Sequence, residues 1–311
     1  MLLLFGVQVT KRLSQLIAKI SHNILKSSLL QSFGNLNAEQ QQYKMLQLEK
    51  QQLERLLTAY QAQLKLGVVP EYEVTRLELE QKSLESSLAS LAGQISQDQA
   101  TLRVLLAENG STYITTIMQS SQAKALPALN TLIENAYTNR PDLQVAEKQI
   151  LYNQQNLTYQ QALATPRLTV GTIYSHVGNT YPNYFGVQAA IDLPFRNRNQ
   201  GNIQAAKITI DQSNQGLNLS RLQVEQDVVQ AYQQYNQVAD LQAKISQDYL
   251  NKISEVSKNA TEDYNKRIID LVSFIDKIRA YKDAQSNLID LRNSLFQAQQ
   301  QLNFVTNSKT F

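Results

Sequence analysis

Apolar side chains recur with a period of 3.5 residues in two segments of the chain. The first segment runs from position 74 to position 105 in steps of three and four, and eight of its ten positions are apolar. The ten positions are Val74, Leu77, Gln81, Leu84, Leu88, Leu91, Ile95, Asp98, Leu102 and Leu105. A stripe of this kind over several heptads is typical of helices that pack as a left-handed coiled coil.

The same stripe returns 200 residues later without a gap, and nine of its ten positions are apolar. These positions are Phe274, Lys277, Tyr281, Ala284, Leu288, Leu291, Leu295, Ala298, Leu302 and Val305. A fixed separation between two like segments indicates an internal duplication. We therefore expect Leu88, Leu91, Leu288 and Leu291 to be buried between antiparallel helices in equivalent settings.

A turn and another long helical pattern precede each stripe. In the first copy the turn is Gly67-Val-Val-Pro70, where glycine suits the position after a helix and proline the first turn of the next one. The second turn has neither residue and is inferred from the repeat. The pattern predicts a first helical hairpin over 6–108 with its tip turn near 66–72. A second hairpin is predicted over 196–311, with a continuous helix from about 199 to 264 and a tip turn near 264–270.

The middle of the chain has a different pattern. Residues 109–163 are predicted to form a connector and helices, and Pro141 can begin a new helix. Residues 164–195 are predicted to form a β-hairpin, because apolar and polar residues alternate along its second strand. One face of that strand carries Phe185, Val187, Ile191 and Leu193. The hairpin is interpreted either as transmembrane β-strands with these residues facing lipid or as a small β-element covering a helical bundle.

Composition narrows the class of protein. The chain has 311 residues, no cysteine, no tryptophan, 10 glycines, 6 prolines and a net charge of +3. Long stretches without glycine or proline favour a mainly helical fold, and the absence of cysteine excludes disulfides and thiolate metal sites. The basic residues are scattered, so no nucleic acid is expected as a partner. His22 and His176 are isolated and no catalytic grouping is visible. We therefore expect no enzyme activity, metal or cofactor.

Several short segments, in their order and spacing, carry a family resemblance. Asn139-Arg-Pro-Asp-Leu143 looks like an R-P-D-L motif, Pro166-Arg-Leu168 like P-x-L, and Ile191–Gly201 like P-L-F-x-R-N-Q-G. Tyr264, and Leu66-Gly67 followed by Glu73-Val74, look like motifs of helical tips. Together they resemble the outer membrane factor family, the TolC-like efflux ducts. The form of segment 191–201 is similar to that of the heavy-metal efflux branch.

The resemblance implies a mainly α fold with a small β part. Long antiparallel coiled-coil hairpins would contribute to an α-barrel, and the β-hairpin to a trimeric outer-membrane β-barrel. The implied function is passive conduction of exported solutes, drugs or metal cations, through a homotrimeric duct. The implied partners are a periplasmic adaptor (membrane fusion) protein, an inner-membrane pump and outer-membrane lipid. The protein is then expected in the outer membrane of a Gram-negative bacterium, extending into the periplasm.

The beginning of the chain departs from the family pattern. A full family member has two copies of the strand-and-helix unit, whereas this sequence contains one strand hairpin. Met1-Leu-Leu-Leu-Phe5 aligns with Asp192–Phe195 at an offset of 190. Residues 1–5 are accordingly predicted to be the remnant of a first barrel strand.

The resemblance also implies candidate residues for a constriction at the helical tips. In the family, inward acidic residues narrow the duct shortly after the second tip turn. By spacing from Tyr264, Asp276 matches one such position and Ser273 stands where another acid is common. The further candidates are Asp270, Glu71 and Glu73. For each, the alternative is a solvated helix end, where an acid near the N-terminus is favoured by the helix dipole.

A second class of function remains open. Two long coiled-coil hairpins are also compatible with a soluble scaffold or tethering protein that has no channel. The two classes differ at the 164–195 hairpin, since a duct protomer would require detergent for solubility and a scaffold would not.

Overall fold

The computed structural model describes residues 2–118, 123–176, 183–192 and 198–311, with side chains from residue 10 onward. The first helices are α1 (Leu2–Lys65), α2 (Glu71–Leu106), α3 (Leu129–Asn139) and α4 (Pro141–Leu163). Two antiparallel strands follow, β1 (Arg167–Ser175) and β2 (Tyr184–Asp192). The last helices are α5 (Gln200–Ala243), α6 (Gln247–Asn265) and α7 (Leu271–Thr306). This confirms a mainly helical fold with a small β part. In the described ranges, no helix is both long and apolar enough to span a bilayer.

The helices confirm the internal duplication. Helices α2 and α7 each contain 36 residues, and both their first and their last residues lie 200 positions apart. Each helix is followed by a residue in the left-handed conformation, Ala107 with φ 54° and Asn307 with φ 46°. The N–H of Ala107 donates to Val104 at 3.1 Å, and that of Asn307 donates to Phe304 at 3.2 Å. The two copies therefore share the same helix ending as well as the same stripe.

The chain divides into two compact units. The first unit comprises residues 1–21 and 140–225 and contains α4, the β-hairpin and the beginning of α5. Within it, Asn153 on α4 donates from Nδ2 to the hydroxyl of Ser213 on α5 at 2.5 Å. Leu143 and Val224 are buried, with 3% and 1% of their surface exposed.

The second unit comprises residues 22–139 and 226–311 and contains most of the apolar core. One core cluster joins α1 to α2 and consists of Leu36, Leu46, Leu84, Leu88, Leu91, Ile95 and Leu102. The stripe differs from the prediction at two polar positions, because Glu80 and Gln99 are buried whereas Gln81 and Asp98 are not. A straight α-helix has 3.6 residues per turn, so its buried face drifts away from a 3.5-residue repeat.

The expected equivalence of the two stripes is only partly correct. Leu88, Leu91 and Leu288 are buried, with 8%, 7% and 8% of their surface exposed. Leu291 is only partly buried, and Ile289 beside Leu288 is buried as well. Helix α7 therefore buries a wider face than α2 at this level.

The predicted continuous helix over 199–264 is wrong, because the structure breaks it at residues 244–246. The hydroxyl of Ser246 caps the new helix α6 by accepting the N–H of Tyr249 at 3.1 Å. The first copy has Lys44-Met45-Leu46 at this level, and Leu46 is buried in a helix without a break. Ile245 and Ser246 are weaker helix formers than methionine and leucine, and serine favours the N-cap.

The first residues also differ from the prediction. Residues 2–5, which the sequence predicted as a strand remnant, lie in the first turns of α1, while Met1 is outside the described residues. A strand needs a neighbouring strand for its backbone hydrogen bonds, whereas a helix makes these bonds within its own segment.

The duplication predicts matched costs of truncating the two core leucines Leu102 and Leu302, which are 2% and 0% exposed. Leu102→Ala and Leu302→Ala should each lower the free energy of unfolding by about 2–5 kcal/mol, because each leaves a cavity in a packed core. Leu219→Ala, at a position 68% exposed, should change it by less than about 0.5 kcal/mol. Denaturant unfolding of the three variants checks this. A loss at only one of the two buried positions would contradict equivalent packing.

Candidate functional site

Both tip turns close in the same way. After α1 the N–H of Gly67 donates to the carbonyl of Leu64 at 2.9 Å, and after α6 the N–H of Arg267 donates to that of Tyr264 at 3.0 Å. Gly67 and Arg267 both have positive φ, 71° and 58°. Glycine adopts this conformation without steric cost, whereas arginine does not. The second turn therefore keeps the geometry of the first without the glycine that marks it in the sequence.

The structure brings Asp270 and Ser273 together as a helix cap. A carboxylate oxygen of Asp270 accepts the N–H of Ser273 at 2.7 Å at the beginning of α7. The hydrogen bonds to Ser273 lower the pKa of the Asp270 carboxyl, and the charge of Arg76 lowers it further. The first copy has Pro70 at the equivalent position, with no side-chain cap. These two candidate residues thus have a structural role in starting α7.

Three aromatic rings meet at the tips around Tyr264. Its ring stacks on Phe274 with centroids 4.5 Å apart, and its hydroxyl forms a hydrogen bond with that of Tyr60 on α1. Tyr60 is buried, and burial raises the pKa of its phenol, with the charge of Glu73 adding to the rise. Tyr264 and Glu73 are therefore both close to Tyr60. The heptad spacing of Leu46, Leu53 and Tyr60 signals a buried position, but sequence reasoning missed its partner.

An apolar cluster that includes Tyr60 holds the two tips together, with Tyr264 and Phe274 packed against it. Its buried members are Leu57, Tyr60, Val74, Leu77, Leu271 and Ile275. They come from α1, α2 and α7, so each repeat copy contributes to one common core. The tip candidates are thus placed on one packed scaffold within the second unit.

Asp276 and Glu71 are exposed side chains near the tips. Glu71 lies in the first turn of α2, where an acid is favoured by the helix dipole. Asp276 lies one turn before Arg279 on α7, and its charge contributes to raising the pKa of that arginine. The described residues contain no group of three or more His, Cys, Asp or Glu placed to hold a metal ion.

An ion pair that the sequence analysis missed joins the two copies next to the tips. Arg279 on α7 donates from Nε to Oε2 of Glu80 on α2 at 3.0 Å, and its Nη2 makes a second contact with the same oxygen. Only 10% of the Glu80 side chain is exposed. In the sequence, Glu80 lies directly before position 81 of the predicted stripe. This neighbouring position is the sequence feature that favours its burial. A buried charge of this kind depends on its partner.

Two half-buried carboxyl groups on α1, those of Glu49 and Glu39, have strongly raised pKa values. Burial raises the pKa of Glu49 to about 7; Glu80 and Asp283 add to the rise and Lys282 opposes it. Burial likewise raises the pKa of Glu39 to about 7, with Asp98 adding to it. Both carboxyl groups therefore titrate near neutral pH, which the sequence pattern did not indicate.

The β-hairpin of the first unit has two chemically different faces. In its register, Phe185 pairs with Tyr174, Val187 with Thr172, Ala189 with Val170 and Ile191 with Leu168. Directly paired residues share a face, so this face is almost wholly apolar. The other face is more polar but mixed: it carries Arg167, Thr169, Ser175, Gln188 and Asp192, together with Gly171, Gly186, Ala190, Ile173 and Tyr184. Phe185, Val187 and Ile191 are 66%, 70% and 59% exposed. Leu193, the fourth predicted residue of this face, lies outside the described residues.

The Asn139–Leu143 motif contains an ion pair between Arg140 and Asp142 at the start of α4. Arg140 donates from Nη2 to Oδ2 of Asp142 at 2.6 Å and from Nε to Oδ1 at 3.1 Å, across Pro141 at the first helical position. Burial opposes ionisation of Asp142, but the hydrogen bonds from Arg140 outweigh it and lower the pKa of this carboxyl. The motif therefore has a structural role in the helix start.

Comparison with protein families gives one match that covers more than half of the chain. The family model described as "Outer membrane efflux protein" matches residues 132–308. No curated protein sequence gives a significant match.

The chain is similar in fold to several solved channel structures. CusC is 18% identical over 97% of this chain and 72% of its own, with a TM-score of 0.79. The Campylobacter jejuni CmeC outer membrane channel is 12% identical over 98% and 67%, with a TM-score of 0.80. The open state of the Neisseria gonorrhoeae MtrE outer membrane channel is 17% identical over 98% and 71%, with a TM-score of 0.76. At these identities the likeness shows a shared fold.

The raised pKa of Glu49 predicts a pH-dependent gain in stability for Glu49→Gln. The folded pKa of about 7 lies above the usual value of 4.5, so the folded state loses stability as pH rises between these values. The variant should therefore be more stable than the unchanged protein at pH 8 and similar to it at pH 4. Denaturant midpoints measured across this range check the prediction, with the exposed Glu78→Gln as control. An equal gain for both variants, or none at pH 8, would contradict it.

Proposed function

The chain belongs to the outer membrane efflux protein family, and we propose that three copies of it enclose a passive duct for exported solutes. Members of this family are channels of the Gram-negative outer membrane that extend into the periplasm, and the chain is a component of such a channel.

The exposed apolar face of the β-hairpin is the observation that carries the proposal. Residues on both strands, among them Leu168, Val170, Phe185, Val187 and Ile191, leave more than half of their side-chain surface uncovered. A two-stranded sheet is unstable in water and has two open edges. Strands from further copies would pair with those edges, and lipid would cover the apolar face. The polar face would then line the interior of a closed barrel.

The helical tips would form the narrow end of the duct. Asp276 and Glu71 are exposed charges there, while Asp270 and Ser273 shape the start of α7. In a trimer, each of these residues occurs three times around one axis. A ring of carboxylates at a constriction favours cations over anions. We assign the screening role to Asp276 and a role in holding the closed end to Tyr264, through its bond to Tyr60.

The outer surface of the tips would contact a periplasmic adaptor, which connects the duct to an inner-membrane pump. Four apolar side chains are exposed at the two turns: Leu66 at 78%, Val68 at 59%, Tyr72 at 68% and Ile268 at 66%. Exposed apolar groups clustered at one place are typical of a protein contact site. The energy for transport would come from the pump, since the duct itself conducts passively.

The barrel interpretation predicts opposite outcomes for neighbouring positions of β2. Val187→Arg should destabilise the assembled protein by about 2–4 kcal/mol, because it places a charge on the lipid face near the midplane. Gln188→Arg, on the polar face, should be tolerated. Unfolding in lipid or detergent measures both, and equal costs would contradict the assignment of the faces. Full solubility of the unchanged protein without detergent would favour the soluble scaffold instead.

The constriction predicts a change in selectivity for Asp276→Asn. Removing three carboxylates from the narrow end should lower cation selectivity and weaken block by multivalent cations, while trimers still assemble. Single-channel recording of the reconstituted protein measures both properties. Asp240→Asn removes the same charge from an exposed position on α5 and should leave them unchanged. If the two variants conduct alike, Asp276 is a solvated helix residue.

A further inference from the structure

Helices α1 and α7 come so close at Gly34 that no side chain fits there. A Cβ atom at this buried position would lie 2.6 Å from Nε2 of Gln297, 2.7 Å from Oδ1 of Asn293 and 2.8 Å from Cδ1 of Phe296. Non-bonded heavy atoms make their best contact at about 3.5–4.0 Å. The ring of Phe296 also packs on Phe33, with centroids 6.2 Å apart. Any other residue at position 34 would therefore displace α7.

Other helical glycines of the described chain have no such neighbours. A Cβ atom at Gly93 on α2, or at Gly216 on α5, would meet no atom within 4 Å. Glycine is a poorer helix former than alanine, so Gly34 weakens α1 as an isolated helix. The close contact with α7 is the feature of the fold that requires a glycine at this point of α1.

Amide side chains of α7 use the space above Gly34 to reach α1. Gln297 donates from Nε2 to the backbone carbonyl of Gln31 at 2.9 Å and to Oδ1 of Asn35 at 3.3 Å. Asn293 donates from Nδ2 to the same oxygen of Asn35 at 3.1 Å. Both donors belong to side chains that a Cβ atom at position 34 would push away. The missing side chain and these hydrogen bonds therefore depend on each other.

Further amide bonds continue along the same pair of helices. On the side of the tips, Gln42 donates from Nε2 to Oδ1 of Asp290 at 2.7 Å and to Oγ of Ser286 at 3.2 Å. On the other side, Asn23 donates from Nδ2 to Oδ1 of Asn307 at 2.7 Å. Hydrogen bonds are directional, and a polar residue in a helix–helix contact can fix its register. A slip of α7 by one helical turn, about 5.4 Å, would break all of these bonds.

We propose that Gly34 is a positioning residue that seats α7 on α1 in one register and so sets where the second tip meets the first. Tyr60 lies further along α1, about 40 Å from Gly34 along the helix axis. Its partner Tyr264 stacks on Phe274 of α7, so the place of this contact depends on where α7 lies. The consequence for conduction rests on the constriction proposed at the tips.

Spin labels on the two tip turns measure this effect. The chain has no cysteine, so Leu66→Cys and Ile268→Cys each place one label at an exposed position. Double electron–electron resonance of the detergent-solubilised full chain, diluted with unlabelled chain, gives the distance between the labels. Gly34→Ala should shift or broaden this distance by about 1 Å or more, because its Cβ atom must displace the contacts by that much. Gly34→Leu should have a larger effect, and Gly93→Ala none.

The denaturant midpoint gives a second measurement with the same matched pair of glycines. Gly93→Ala should raise the midpoint, because alanine favours the helix. Gly34→Ala should lower it, although the gain in helix preference is the same. A raised midpoint for both variants, or an unchanged distance between the labels in Gly34→Ala, would overturn the proposal. If Gly34→Leu does not fold, Gln297→Ala removes two amide bonds without adding volume and should broaden the distance; an unchanged distance there would also overturn it.

Single-channel recording separates this role from the proposed duct. If the tips form the constriction, Gly34→Ala should change the conductance of the reconstituted protein, whereas Gly93→Ala should not. A shifted label distance in a protein that never conducts would contradict the duct and still support the role of Gly34. An unshifted distance in a conducting protein would overturn the role of Gly34 alone.

Discussion

Burial of one apolar stripe on α2 against α1 is the interaction on which the second unit depends. Four leucines of α2 from Leu84 to Leu102 lie in one core cluster with Leu36 and Leu46 of α1. A long helix in water is stable only when such a face is packed. The duplication supplies a second helix of the same length, α7, and its Leu271 and Ile275 join Leu57 and Leu77 in one cluster. The two hairpins therefore share a core, so the position of either tip depends on the packing of both.

The shared core explains why the residues at the tips are close to one another. Tyr60 and Tyr264 come from different copies, as do Glu80 and Arg279, yet each pair is in contact. A buried polar or charged group costs free energy when its partner is lost. These two contacts thus restrict how far one hairpin can move relative to the other. To separate the two tips, the contacts between them must break.

Much of this arrangement could be predicted from the sequence, because it depends on periodicity. The stripe from Val74 to Leu102, its copy and the alternation of Phe185, Val187 and Ile191 are local patterns, and each is matched by a described element. The partners of Tyr60 and Glu80 were missed because they lie about 200 residues away in the sequence. The break at 244–246 was missed because the apolar period continues across it. The cap formed by Ser246 outweighs the weak helical preference of these residues, and a periodic pattern carries no information about such a cap.

Glutamine side chains on α1 and α2 attach the connector to the first hairpin. Gln99 lies at a buried position and accepts a hydrogen bond from Arg103 at 3.0 Å, while Arg103 also donates to the carbonyl of Thr112. On α1, Gln40 donates to the carbonyl of Ile114 at 2.7 Å and accepts from the N–H of Thr116 at 3.0 Å. A connector without regular structure must satisfy its backbone groups elsewhere. Long amide side chains from two packed helices do this, so Gln40 and Gln99 fix the chain where it leaves the helices.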